Sequence, residues 1–170
     1  MLPRYDIPKA APQPLREVQL LINSVDVHAG TDWIDEWLSE HGLGPGDAAR
    51  ARRLREALRA LVLANNGTEL GVDALATVNE EAERVRLRVD ARGTLSVEAG
   101  EDPLGRVVAI ALGAMLDGSF ARLKACRNCS WSFYDYSPNR SATWCSMQIC
   151  GNRKKTRAYR ARKARPSAAG

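Results

Sequence analysis

The sequence predicts an α+β protein, in which a mostly helical N-terminal body with one β-hairpin is followed by a small C-terminal module built on four cysteines. Apolar residues recur at helical spacing from Leu15 to Val78, and strict alternation follows at 84–89 and 95–98. All four cysteines then lie in one window of 25 residues. We therefore divide the chain into an extended arm (1–14), the body (15–121), the cysteine module with a basic helix (122–165) and a flexible tail (166–170).

The arm and the first two helices follow from proline content and apolar spacing. Four prolines among the first 14 residues disfavour helix, which predicts an extended arm. A first amphipathic helix is expected from Leu15 to about residues 28–30. Thr31 is predicted to cap a second helix, in which Trp33 and Trp37 form an i,i+4 pair.

A third and a fourth helix are predicted next. Pro45 and Asp47 open the third helix, and its five arginines at 50–59 are expected to form a solvated face. A turn at 65–67 separates this helix from the fourth, which Thr68 is predicted to cap. The apolar positions are Leu54, Leu58, Leu61 and Val62 in the third helix, and Leu75 and Val78 in the fourth.

The hairpin and a long helix complete the body. The two alternating segments flank a turn at 90–93, and their apolar side chains are expected to share one buried face. Asp102 and Pro103 form the cap and first turn of a helix that is predicted to be the most buried in the chain. The hairpin face consists of Val85, Leu87, Val89, Leu95 and Val97. The helix is expected to bury Leu104, Val107, Val108, Ala111, Leu112, Met115 and Leu116.

The charge of the chain is divided unevenly. The 170 residues carry a net charge of +5, but residues 126–170 contain ten Lys or Arg and one acid, Asp135, so they carry +9 and the first 125 residues carry −4. An acidic body joined to a cationic end favours binding of a polyanion at that end. No membrane partner is expected, because the segment after Gly151 contains no Leu, Ile, Val or Phe for an apolar helix face.

The four cysteines have the spacing of a metal site, Cys126-x2-Cys129-x15-Cys145-x4-Cys150. Two short pairs separated by a hairpin-length segment can supply four thiolates tetrahedrally, which is the geometry of structural zinc. Two alternatives stay open, a disulfide framework with three conceivable pairings and buried free cysteines. We predict that all four cysteines bind a structural Zn²⁺, and that loss of one ligand unfolds 122–165 while the body survives.

Nothing in the sequence predicts export, a membrane span or catalysis. The first thirty residues have no apolar core of signal-peptide length, and the longest apolar run, 107–116, is too short for a bilayer. A cytoplasmic protein with reduced thiols is therefore expected. His28 and His41 belong to no catalytic spacing, and no phosphate-binding loop or dinucleotide fingerprint is present, so we expect no enzymatic activity.

The segment around the cysteines predicts a knuckle, a hairpin and a helix. Residues 130–136 are predicted to form a strand and 137–140 a turn, and a return strand is expected to bring Trp144–Cys145 back to the first two cysteines. Gly151 leaves room for the backbone beside a metal-bound sulfur, and Asn152 is predicted to cap a basic helix directly after it. This order is similar to that of a treble-clef zinc finger.

The same residues resemble a known family. The string Cys150–Arg153, together with Trp144–Met147 and Phe133–Asp135, is similar to the CGNR zinc finger, which in bacteria follows an N-terminal ABATE domain. The body resembles that domain in Leu20–Asn23, in a tryptophan-bearing second helix, and in its order of helices, hairpin and long helix. The resemblance implies a stress-related transcription regulator whose finger binds zinc and DNA. Relatives carry arginines where this chain has 141–143, so nucleic-acid contact is expected on the helix instead.

A helix after Cys150 would carry a cationic stripe. Residues three and four apart lie on one helix face, and phosphate contact is the natural use of such a stripe. We predict nucleic-acid binding by Asn152, Arg153, Lys154, Arg157, Arg160 and Lys163. DNA is favoured. RNA, including ribosomal RNA, stays open because four aromatic residues at 131–136 could stack on bases, and so does a protein-docking module with a purely structural zinc.

The body is also a candidate sensor. Asn23, His28, Trp33 and Trp37 come from the first two predicted helices and could line a pocket of mixed polarity, as a small-molecule effector would require. The alternative is that the tryptophans belong to the core and the histidine faces solvent. A homodimer would suit a regulator, but no residue pattern marks one.

Overall fold

A computed structural model describes residues 9–153 and 155–156 of the chain. It confirms the α+β prediction, with a mostly helical body, small antiparallel strand pairs and the four cysteines together near the C-terminal end. The helices are α1 (Leu15–Ile22), α2 (Ile34–Glu40), α3 (Ala48–Ala64), α4 (Val72–Ala82) and α5 (Pro103–Leu116). The strands pair in sequence order, β1 (Val25–Asp26) with β2 (Thr31–Asp32), β3 (Arg86–Val89) with β4 (Leu95–Glu98), and β5 (Leu123–Ala125) with β6 (Ser132–Tyr134).

The core of the body is formed by α1, α3 and α5. Val18 of α1, Leu58 of α3 and Val107 of α5 are fully buried and belong to one cluster. α5 is the central helix that its apolar pattern predicts. Its predicted cap is confirmed, because the Asp102 carboxylate accepts a hydrogen bond from the Leu104 amide at 3.1 Å. Within residues 9–153 and 155–156, no helix combines the length and the apolar character needed to cross a bilayer.

Two helix boundaries in the first half of the body differ from the predictions. α1 is shorter than predicted, because the Ser24 hydroxyl and amide both bond to the Leu21 carbonyl, at 2.8 and 3.1 Å, and turn the chain out of the helix. β1 and β2 occupy the segment in which the sequence predicts a longer α1. The first amide of α2, that of Ile34, donates to the Asp32 carboxylate at 3.0 Å, so Thr31, which lies in β2, is not the cap.

The arginines of α3 do not form the solvated face that the sequence predicts. Arg55 and Arg59 are 4% and 5% exposed, whereas Arg52 and Arg53 lie on the surface. Arg55 binds both carboxylate oxygens of Asp32, at 2.6 and 3.0 Å. A guanidinium can be buried when acceptors surround its five donors. The prediction is wrong because periodicity along one helix does not reveal acceptors on neighbouring elements.

A partly buried ion-pair network joins α3 to α4 and to the cap of α5. Arg50 binds the Glu81 carboxylate through Nε at 2.9 Å and through Nη2 at 2.6 Å, and Nη2 also contacts the cap residue Asp102 at 2.6 Å. The hydrogen bond to Glu81 raises the pKa of Arg50. Glu81 is buried, and its carboxylate also lies 3.5 Å from Arg84 Nε, so two cations compensate its burial.

The hairpin has the predicted register but an uncovered apolar face. Leu87 faces Val97 and Val89 faces Leu95 across the two strands, which confirms the predicted pairing. Leu87 and Val89 are nevertheless 69% and 65% exposed, so the predicted burial of this face is wrong. Alternation identifies which side chains share a face, but not whether another element covers that face.

Three smaller predictions in the body are also wrong. α4 begins at Val72 with Gly71 at its N-cap, so Thr68 does not cap it. Leu75 of α4 is exposed, whereas Val78 is buried as predicted. Leu116, the last residue of α5, is exposed as well. α4 buries only Val78 and Glu81, and its first residue, Val72, is exposed together with Leu75.

β5 and β6 join the cysteine module to the body. Leu123 and Ala125 of β5 are fully buried, and with Tyr134 of β6 they belong to the same cluster as α1, α3 and α5. Phe133, on the opposite face of β6, packs against the cysteines. This strand pair therefore has one face in the body core and the other on the candidate metal site.

Candidate metal centre and nucleic-acid interface

The four cysteines meet at one point, as their spacing predicts. All four Sγ atoms lie within 4.8 Å of one another, and the separations among Cys129, Cys145 and Cys150 are 3.6, 3.6 and 3.7 Å. Tetrahedral sulfurs at about 2.3 Å from a zinc-sized ion would lie about 3.8 Å apart, so the set fits such an ion. A disulfide requires a sulfur separation of about 2.05 Å, and the four thiols are free.

The first cysteine pair lies on a tight knuckle between β5 and β6. The Ser130 amide donates to the Cys126 carbonyl at 2.8 Å, and the Cys126 amide donates to the Trp131 carbonyl at 2.9 Å. Ser130 has φ +59°, a left-handed conformation that costs an L-residue about 1–2 kcal/mol. Contacts around Ser130 must therefore hold the knuckle in this shape.

Backbone amides and neighbouring thiols set the charge of the site. The amides of Asn128 and Cys145 donate to the Cys126 sulfur, and the amide of Trp131 donates to the Cys129 sulfur. Hydrogen bonds from the Cys129 and Cys145 thiols lower the pKa of Cys126, and the bond to Cys126 raises the pKa of Cys129 to about 12. A bound cation would stabilise the thiolate forms of these cysteines further.

The second cysteine pair is closed by one wide helical turn, Met147–Gly151. The cap of this turn is Ser146, whose Oγ accepts from the Ile149 amide at 3.3 Å. The predicted cap, Asn152, lies within the helix instead, because the helix begins before the last ligand, Cys150, and not after it. The metal site is therefore part of the first turn of the helix.

The neighbours closest to a Cβ at Gly151 would be Met147 and Trp144 and not a cysteine sulfur, and the exposed Met147 side chain would have to shift by a few tenths of an ångström. A Cβ at this position would lie 3.0 Å from Met147 Sδ and 3.4 Å from Trp144 Cδ1. Near the sulfur, the side-chain amide of Asn128 approaches Cys150 Sγ at 3.5 Å and supplies a donor to this candidate ligand.

Within the described residues, no return strand follows the turn after β6, so that prediction is wrong. Residues 137–142 instead surround the Asp135 carboxylate, which accepts from the Ser137 amide at 2.9 Å and from the Ala142 amide at 2.9 Å. Buried Lys124 pairs with Asp135 at 2.8 Å. Burial raises the pKa of Asp135, but hydrogen bonds from Lys124 and Ser137 outweigh it and lower the pKa to about 2.

Two of the six predicted nucleic-acid contacts can be placed. Asn152 and Arg153 are exposed on the helix directly after the last cysteine, and Lys155 beside them is also exposed. The other four, together with the predicted tail at 166–170, lie outside the described residues: Lys154, Arg157, Arg160 and Lys163. Not every cation of the module is available for phosphate, because Arg122 donates to two backbone carbonyls of the loop after β6, at 2.9 and 3.0 Å.

The four residues of the predicted effector pocket have different environments. Asn23 is buried, and its side chain bonds to the backbone amide and carbonyl of β6 at 2.8 and 3.0 Å. Trp37 is buried and stacks on His41 with ring centres 3.9 Å apart. His28 is exposed in the turn between β1 and β2, and Trp33 is half-buried. A pocket formed by all four residues stays a prediction.

The residues that hold the module on the body were missed by sequence reasoning. Each of them donates from a side chain to a backbone carbonyl of the module. With their partners they are Asn66 to Ala125 and Thr143 (2.8 and 2.9 Å), Arg59 to Ser130 (3.1 Å) and Lys9 to Trp144 (2.8 Å). For Asn66, the Asn-Asn-Gly sequence at 65–67 could have indicated these contacts, because it brings two amide side chains to one turn. Nothing in the sequence around Arg59 or Lys9 indicates that these side chains bind backbone carbonyls of the module.

Two family models match the chain, in the order that the resemblance predicts. The CGNR zinc finger model matches residues 122–163, which include all four cysteines. The ABATE model, described as "Putative stress-induced transcription regulator", matches residues 19–122. A comparison with curated proteins finds no match.

Proposed function

The chain belongs to the ABATE family, and we propose that it is a transcription regulator that binds DNA through a zinc-stabilised CGNR finger. The observation that carries the proposal is the position of the last described helix. This helix starts in the turn that closes the cysteine cluster and continues directly into exposed Asn152, Arg153 and Lys155. A metal in the cluster would therefore orient the cations that follow it.

Zinc is the metal that this cluster favours. Four soft thiolates in tetrahedral geometry select zinc over oxygen-seeking cations such as Mg²⁺ or Ca²⁺. Four cysteines also close the coordination shell and leave no open position for a substrate or a reactive water. We therefore propose a structural role for the metal and no catalytic one.

The distribution of charge supports a polyanion as the partner. Residues 126–170 carry +9, and Arg153 and Lys155 are exposed and free to contact phosphates. Phosphate contacts supply most of the sequence-independent affinity of proteins for DNA. A first turn held by metal presents these cations in one orientation, which reduces the ordering cost of binding.

Burial of two aromatic rings of the module weakens the case for single-stranded RNA as the partner. Phe133 packs against the cysteines and Tyr134 lies in the body core, so neither ring is available for base stacking. Tyr136 is exposed, but its hydroxyl donates to the Ala10 carbonyl at 2.7 Å. Of the four aromatic residues at 131–136, only half-buried Trp131 and exposed Tyr136 are left for the base stacking that recognition of single-stranded RNA usually requires.

The experiment is selection of fragments from genomic DNA and from total RNA by the full, metal-loaded chain at near-physiological salt. We expect retention of duplex DNA, with log K falling against log salt at a slope of about −4 to −5 if four to six cations meet phosphates. Arg153→Ala with Arg157→Ala should weaken binding to all sequences and reduce that slope by about 2.

The matched control removes the same charge from exposed positions of the body, by Arg53→Ala with Arg86→Ala. Its DNA binding should equal that of the unmodified chain. Preferential retention of RNA would contradict the DNA proposal. Absence of salt-dependent retention of either nucleic acid would contradict it as well, and would favour a protein-docking role for the finger.

A further inference from the structure

Two cations outside the module, one in the arm and one in the body, bind backbone peptide groups next to the cysteines. We propose that Arg59 and Lys9 are positioning residues that stabilise the metal-bound thiolates of the first cysteine pair through these peptides. The inference rests on the metal binding proposed above, but it does not depend on DNA binding.

Arg59 holds the peptide group between Ser130 and Trp131. Its Nη1 donates to the Ser130 carbonyl at 3.1 Å, and the N–H of the same peptide, that of Trp131, donates to the Cys129 sulfur. In a trans peptide the C=O and N–H point in opposite directions, so a cation that fixes the oxygen also directs the N–H at the sulfur. The positive charge polarises the peptide and strengthens the N–H···S bond.

Lys9 has the same relation to the peptide group between Trp144 and Cys145. Its Nζ donates to the Trp144 carbonyl at 2.8 Å, and the N–H of Cys145 donates to the Cys126 sulfur. The ammonium also lies 4.7 Å from the centre of the Phe133 ring, which helps to hold it in place. Both cysteines of the first pair therefore receive an N–H from a peptide whose oxygen is bound by a cation outside the module.

The position of Arg59 is fixed independently of the knuckle. Its Nε donates to the Glu56 carboxylate at 3.0 Å, and its Nη2 donates to the Ile22 carbonyl at the end of α1. The side chain is buried, so loss of these partners cannot be replaced by water. The guanidinium therefore holds the left-handed residue Ser130 in the conformation that the knuckle requires.

The negative charge of a metal-loaded site explains why nearby cations would stabilise it. Four thiolates and one divalent ion leave a net charge of −2 at a site in which Cys126 and Cys150 are buried. A negative charge in this environment is stabilised by oriented N–H groups and by nearby cations. Hydrogen bonds just outside a metal's ligands typically change metal affinity by about 10–100-fold.

The test measures the rate of metal release from the full, zinc-loaded chain into excess chromogenic chelator at neutral pH, without nucleic acid. Arg59→Met and Lys9→Met each remove the cation and keep an apolar stem. We expect release to be about 10–100-fold faster in Arg59→Met and faster in Lys9→Met. Arg59→Lys keeps the positive charge and should release metal at a rate between those of Arg59→Met and the unmodified chain. Arg53→Met, which alters an exposed position of the same helix, should release metal as the unmodified chain does.

A spectroscopic measurement separates this role from a general loss of fold. With Co²⁺ in place of Zn²⁺, loss of an N–H···S bond raises the electron density on sulfur and should shift the sulfur-to-cobalt charge-transfer band to lower energy. If Arg59→Met does not fold, the same measurements on Lys9→Met test the inference instead, because Lys9 is half-buried in the N-terminal segment outside the helices.

Two results would overturn the inference, and a third would support it. Unchanged release rates and cobalt spectra in the folded variants would overturn it while the metal proposal stands. A purified, reduced wild-type chain that holds no metal would overturn both. Faster metal release in a chain that does not bind DNA would support this inference and contradict only the DNA proposal.

Discussion

At the scale of single residues, the module depends on a buried ion pair as well as on its cysteines. Lys124 and Asp135 are both buried, and residues 137–142 are arranged around the Asp135 carboxylate. The pKa of Asp135 is lowered to about 2, below the ordinary value of 3.8. The stabilisation from this pair is therefore complete above about pH 4 and is lost as the pH falls through 3.8 toward 2.

We predict that Asp135→Asn lowers the free energy of unfolding by about 3–5 kcal/mol, because it leaves the Lys124 ammonium buried without a counter-charge. Urea titration of the metal-loaded chain at neutral pH measures this. Adding Lys124→Met to the variant should recover part of the loss, since the unpaired charge is then gone. Asp73→Asn, at an exposed position, is the control. Equal stability of Asp135→Asn and the control would refute the prediction.

At the scale of elements, the turn between α3 and α4 is a docking point for the module. Asn66 is buried and donates to the Ala125 and Thr143 carbonyls, and its own carbonyl accepts from Arg127 Nε at 2.6 Å. Gly67 has φ +82°, and a Cβ there would collide with the Arg127 guanidinium. The turn therefore has to be both left-handed and free of a side chain for Arg127 to reach it.

Asn66→Ala is expected to destabilise the metal-loaded chain by about 2–3 kcal/mol, because two carbonyls of the module lose their donor. The measurement is again the free energy of unfolding in urea. Asn79→Ala, on the exposed face of α4, is the matched control and should leave stability unchanged or slightly raised. A loss in Asn66→Ala no larger than in the control would show that the turn does not hold the module.

Local patterns predicted the elements better than they predicted the contacts between them. The apolar spacing of α3 and α5, the alternation of the hairpin and the cysteine spacing are properties of short segments, and each was read correctly. Burial of Arg55 and Arg59 was missed because their acceptors come from distant segments. The return strand was predicted wrongly because Asp135 offers amides of the loop an alternative to strand pairing.

At the scale of the whole molecule, the body and the finger share one core. Leu123, Ala125 and Tyr134 of the module pack with the apolar residues of α1, α3 and α5. Asn23 and Arg59 of the body contact β6 and the knuckle. The expectation that a cysteine substitution unfolds 122–165 and spares the body therefore needs revision. Unfolding the finger would expose part of the body core, so we expect metal loss to destabilise the whole chain.

The central claim is that the bound metal orients the cationic helix for DNA. Its most direct test is titration of a fluorescent DNA duplex with the full chain, zinc-loaded and after removal of zinc by a chelator under reducing conditions, at one salt concentration. We predict that zinc removal weakens DNA binding by about tenfold or more and that one equivalent of Zn²⁺ restores it. Equal affinity with and without zinc would contradict the claim, because the basic segment would then bind without the metal site.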